Sequence, residues 1–69
     1  MADLMLIDPG PKKIEVIKEI RFITRLSLKE AKDLVEGPMP AVIKECITLR
    51  ESEQILPRLE RIGAKAELR

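Results

Sequence analysis

The stretch Lys13–Glu36, KIEVIKEIRFITRLSLKEAKDLVE, does most to limit what this chain can fold into. Its apolar residues recur at spacings of three and four, the period of a helix and not of a strand. One break interrupts the pattern. There Ser27-Leu28-Lys29-Glu30 has the form of a capping box, a hydroxyl at the N-cap and a carboxylate three residues on. Two helices separated by only about two residues must lie side by side as a tight helical hairpin.

The first helix spans Lys12–Thr24 in this reading. Val16, Ile20 and Ile23 fall on one side of the helix and form the expected core stripe. Ile14, Ile17, Lys18 and Arg21 follow i, i+3, i+4, i+7 spacing on an adjacent face, with Ile17 at the core edge. One buried face does not need this many aliphatic residues. In the second helix Leu28, Ala31, Leu34 and Val35 give the apolar side. Gly37-Pro38 ends it, with Gly37 expected in the left-handed position after the last turn.

Short strands surround this hairpin. Leu4–Ile7 is an apolar run closed by Asp8-Pro9-Gly10-Pro11, the pattern of a strand and a turn. Ala41–Ile47 reads as a second strand, with Cys46 among its apolar residues and expected to be a buried structural thiol. Thr48-Leu49-Arg50-Glu51 is another capping box, opening a third helix carried by Ile55, Leu59 and Ile62 and stopped by Gly63. Pro57 lies inside it and costs roughly 3 kcal/mol unless a kink accommodates it. Ala64–Arg69 alternates Ala66 and Leu68 with charged residues, a last strand. The expected fold is a single two-layer α+β domain over residues 1–69, β-α-α-β-α-β, with a three-stranded sheet packed against three helices.

Composition narrows the function. A chain of 69 residues buries only about 60% of its unfolded surface, so the core is thin. It has no His, the commonest general base and metal ligand, and a single cysteine, so no intrachain disulfide. Gly10, Gly37 and Gly63 all sit at turns, and no phosphate-binding loop or CxxC pair occurs. Glu15 and Glu19 are paired carboxylates on a solvated helix surface. The expectation is therefore no enzyme, no cofactor, no metal and no small-molecule substrate. The net charge of +1 and the lone aromatic, Phe22, count against direct nucleic-acid binding. No apolar run reaches the roughly 20 residues of a membrane span and no signal peptide is evident, so a cytoplasmic or organelle-interior location is expected.

What remains is a surface. Between Lys12 and Lys32, seven basic residues (Lys12, Lys13, Lys18, Arg21, Arg25, Lys29, Lys32) face only Glu15, Glu19 and Glu30. With Ile14 and Ile17 at its middle, this face suits an acidic, partly apolar patch on another protein. Phe22 either covers the second helix or stands exposed as a contact residue.

KIEVIKEIR (Lys13–Arg21) and LKEAKDLVE (Leu28–Glu36) closely resemble the C-terminal domain of the bacterial large-subunit ribosomal stalk protein, the protein seven/twelve family. The Pro40–Glu45 strand and ERIGAKAEL at the end extend the resemblance over almost the whole chain. It implies the same β-α-α-β-α-β fold. It also implies a protein-binding role: recruiting translational GTPases, elongation factors Tu and G among them, to the ribosome and promoting their GTP turnover or phosphate release. The contact residues it implies are Lys13, Ile14, Ile17, Lys18 and Arg21 on the first helix, and Lys29, Glu30 and Lys32 on the second. Phe22, Arg25 and Ser27 stand where the family has glycines, which adds bulk beside this surface. The Gly37–Pro40 loop is one residue longer and richer in proline, and Pro57 is unusual for the third helix. The family's N-terminal dimerisation domain and hinge are not in this sequence. The expectation is an excised domain or a stand-alone homologue, the alternative function being an adaptor or accessory subunit that binds a different protein complex.

Overall fold

A computed structural model describes all of residues 1–69. The elements run β1 (Ala2–Asp8), α1 (Lys13–Thr24), α2 (Leu28–Glu36), β2 (Ala41–Ile47), α3 (Leu49–Arg61) and β3 (Lys65–Leu68). The sheet has the order β2-β1-β3, with β1 antiparallel to both neighbours. This is the α+β architecture expected from the sequence. Leu4 and Leu6 of β1 are fully buried, while the alternate residues Asp3, Met5 and Ile7 are only partly so. That alternation of period two turns one face of the sheet to the helices.

Eleven buried apolar residues form one core that joins every layer, among them Leu4, Leu6, Val16, Ile20, Val35, Ile47 and Leu59. Each fully buried Leu, Ile or Val contributes about 1.5–3 kcal/mol. Ile23 is only half-buried, and Ile17 takes its place in the core at 8% exposure. The sole buried polar residue, Ser52, donates its hydroxyl to the Leu49 carbonyl at 2.6 Å, so the core holds no unsatisfied group from it.

The helix ends follow local chemistry. Ser27 Oγ accepts the Glu30 N–H at 3.2 Å and Glu30 Oε1 accepts the Ser27 N–H at 3.3 Å, a complete capping box. At α3, Thr48 Oγ1 accepts the Glu51 N–H, but the Glu51 carboxylate takes the Thr48 hydroxyl instead of its backbone N–H. The left-handed position expected at Gly37 is not there: Gly37 has φ −81°. It is small for another reason, since a Cβ would lie 2.8 Å from the Asp33 carbonyl oxygen. The left-handed helix end belongs to α1, where Arg25 has φ 62° and donates its N–H to the Arg21 carbonyl at 2.8 Å. α3 runs unbroken through Pro57. Pro57 and Glu53, whose carbonyl loses its helical donor, are both exposed, so water can serve that oxygen.

Gly10 and Gly63 fasten the start of α1 to the end of α3. Gly10 has φ 72°, and a Cβ on it would lie 2.2 Å from the Gly63 carbonyl oxygen. Only glycine permits that approach.

Cys46 departs from its expected burial. The ladder pairs Ala2 with Ile47 but Leu4 with Lys44, so β2 carries one more residue than β1 over this interval. Cys46 sits in that bulge with φ 53°, its N–H donated to Asp3 Oδ1 at 3.1 Å. A bulge breaks the in–out alternation, and the thiol is exposed while Ile47 returns to the core.

Candidate protein-docking surface

The outer face of α1 is set by its core stripe. With Val16, Ile17 and Ile20 turned inward, Ile14, Lys18 and Arg21 project to solvent by helical geometry. Ile14 is 70% exposed. Ile17 is not part of the exposed set: its side chain lies at the edge of the core, where it supports the face from beneath. Lys13 is exposed at the first turn.

α2 adds Lys29 and Lys32, both exposed. Glu30 is exposed as well, but its carboxylate is engaged in the capping box, so its visible role is to start the helix. Leu28 stands 57% exposed. It was expected on the apolar side with Ala31 and Val35; at the first turn it clears the domain edge and becomes a second surface aliphatic. Its i, i+4 relation to Lys32 was the signal that could have marked it.

The electrostatics of this face are unbalanced. The ion pairs of the structure are Lys44–Glu51, Arg58–Glu19 and Arg69–Glu67, none of which uses a cation of the α1–α2 face. Lys13, Lys18, Arg21, Arg25, Lys29 and Lys32 are all exposed and without a carboxylate partner. Glu19, the acid nearest in sequence to Lys18, is turned away to α3. There it accepts from Arg58 Nε at 2.8 Å and Nη2 at 3.2 Å. This hydrogen-bonded carboxylate, and secondarily its charge, raises the Arg58 pKa further above its ordinary value.

Phe22 is 70% exposed and does not cover α2. The Arg58 guanidinium carbon lies 4.8 Å from its ring centroid, a cation–π contact between α1 and α3. Arg58 is remote along the chain, so no local pattern announces this contact. No three His, Cys, Asp or Glu side chains are grouped so as to hold a metal ion. No helix is long and apolar enough to cross a membrane.

The fold and this surface define a small two-layer α+β domain that leaves a cationic, partly aliphatic helical hairpin open to solvent. The chain belongs to the ribosomal protein L7/L12 C-terminal domain family, which it matches over residues 2–69. It is 55% identical over 67 residues to the large ribosomal subunit protein bL12 of Rhodospirillum rubrum, covering 97% of this chain and 54% of that protein. The bL12 proteins of Bartonella bacilliformis (55% identity, 97% of this chain and 54% of the relative) and a Bradyrhizobium species (56%, 96% and 52%) are similar to the same extent. The chain thus spans about half the length of the curated relatives it matches. The family is one of non-enzymatic ribosomal components. The resemblance read in KIEVIKEIR and LKEAKDLVE therefore identified the family correctly.

Proposed function

We propose that this chain is the docking module of a ribosomal stalk, binding translational GTPases such as elongation factors Tu and G through the outer faces of α1 and α2. The single observation that carries this reading is the set of unpaired cations around exposed aliphatics: Lys13, Lys18, Arg21, Lys29 and Lys32 with Ile14 and Leu28. Cations left without internal partners cost the domain nothing to offer to an acidic surface, and they raise the rate of encounter. Exposed Ile14 and Leu28 supply the apolar contact that slows dissociation. Membership of a ribosomal family supports the choice of partner.

The test is titration of elongation factor G with the wild-type chain, Lys18→Glu and Arg21→Glu. Each reversal weakens binding by about tenfold or more, since one tenfold step corresponds to about 1.4 kcal/mol. Because both residues are exposed and unpaired, the melting temperature stays close to wild type. Two stable variants that bind as tightly as wild type would remove this reading.

A further inference from the structure

Next to the cationic face the surface changes character. Around the side of α1, Phe22 and Ile23 form one wall of a groove whose other wall is Gln54 and Ile55 of α3. The groove has a volume of about 220 Å³. Small-molecule sites begin at about 300 Å³, so this one is sized for a single side chain.

Its charges are matched where those of the neighbouring face are not. Arg58, paired to Glu19 behind it, closes one part of the rim and the Lys44–Glu51 pair another. Each cation of the lining is thus answered by a carboxylate, Lys44 by Glu51 within the groove and Arg58 by Glu19 behind it, so no charge there is left unpaired. Arg58 is held in place by two hydrogen bonds to Glu19 and lies over the Phe22 ring. The contact favours this orientation of Phe22 although it is 70% exposed, which lowers the ordering cost of docking. Lys18, one helical turn before Phe22, stands exposed and without an ion-pair partner beside this aromatic wall, with Arg21, also exposed and unpaired, further round α1.

We infer that the α1–α3 groove receives one large apolar side chain from the same protein partner that docks on α1 and α2, carried on a segment with carboxylates flanking it. The inference rests on the docking function proposed above and adds to it a second anchoring point. The apolar side chain packs against Phe22, Ile23 and Ile55, and a carboxylate beside it reaches Lys18, with Arg21 further round α1 open to the next. The charge pattern selects this occupant: a charged side chain would find no free counter-charge inside the groove, whereas a carboxylate just outside it would.

The experiment uses elongation factor G as the probe and methyl-labelled chain. Binding shifts the Ile55 and Ile23 methyl resonances along with those of Ile14. Gln54→Glu, at an exposed position, leaves the melting temperature unchanged. It weakens binding by about fivefold through repulsion of the flanking acids. Gln54→Leu, which adds no charge to the groove, binds at least as well as wild type. Should Lys18→Glu weaken binding while the Ile55 methyl stays in place and Gln54→Glu binds as wild type, the groove is empty in the complex. That result overturns this inference and leaves the docking function intact. Unchanged binding of Lys18→Glu as well would overturn both.

Discussion

Arg25 closes α1 with φ 62° and ψ 23°, a conformation that costs a residue bearing a Cβ about 1–2 kcal/mol. Its side chain offers no evident return: it is exposed and forms no ion pair. The backbone hydrogen bond from its N–H to the Arg21 carbonyl survives any substitution that keeps the turn. Arg25→Gly removes the strain. Against this stands the greater freedom of glycine in the unfolded chain, about 0.4–1 kcal/mol. The difference is a net stabilisation of about 0.5–1 kcal/mol. In a domain of this size 1 kcal/mol moves the melting temperature by about 4–8 °C, so the variant should melt about 2–8 °C higher. Circular dichroism on heating, checked by the urea midpoint at unchanged slope, measures this. A midpoint equal to or below that of wild type would refute the strain argument.

Three further outcomes follow from particular contacts. Gly10→Ala forces a methyl group against the Gly63 carbonyl oxygen at a positive φ; it should cost at least about 2 kcal/mol, read as a lower urea midpoint, and an unchanged midpoint would contradict the close approach. The Glu51 carboxyl is held below its ordinary pKa of 4.5, first by the hydrogen bond from Lys44 and then by that from Thr48. A depressed carboxylate pKa gives stability that is present above the ordinary value and lost as pH falls through the folded one. Glu51→Gln should therefore lose less of its melting temperature than wild type on acidification below 4.5, and parallel curves would count against the Lys44 contact. The Cys46 thiol, exposed in the β2 bulge, should react with Ellman's reagent in the native protein at about the rate of the denatured chain; protection until unfolding would place it back in the core.

The elements of this fold were legible because their signals are local. Ser27 and Glu30 announce α2 from within a single turn, and the 3.6-residue period of α1 locates Val16 and Ile20 in the core. The errors occurred where backbone geometry broke a period. Cys46 alternates correctly on paper, but the extra residue opposite Asp3 turns it outward. Residue type predicts the left-handed helix end at Gly37, whereas the chain places it at Arg25, where a three-residue link turns into α2. Helical spacing alone sets Ile17 at the border of core and surface; in the fold it is buried. Of the candidate surface, Lys18 and Arg21 were readable from spacing alone. The orientation of Phe22 depended on Arg58, and the removal of Glu19 from the cationic face depended on the same residue, a long-range contact with no sequence signature.

If the reading is right, the partner lands on the solvent face of α1 and the start of α2. Amide chemical shifts of the labelled chain, followed as elongation factor G is added, test it residue by residue. Lys13, Ile14, Lys18, Arg21, Leu28 and Lys32 should shift or broaden, while Lys65, Glu67 and Val42 on the far side of the sheet hold their positions. Perturbations confined to the sheet, with the α1–α2 amides unmoved at saturation, would contradict it.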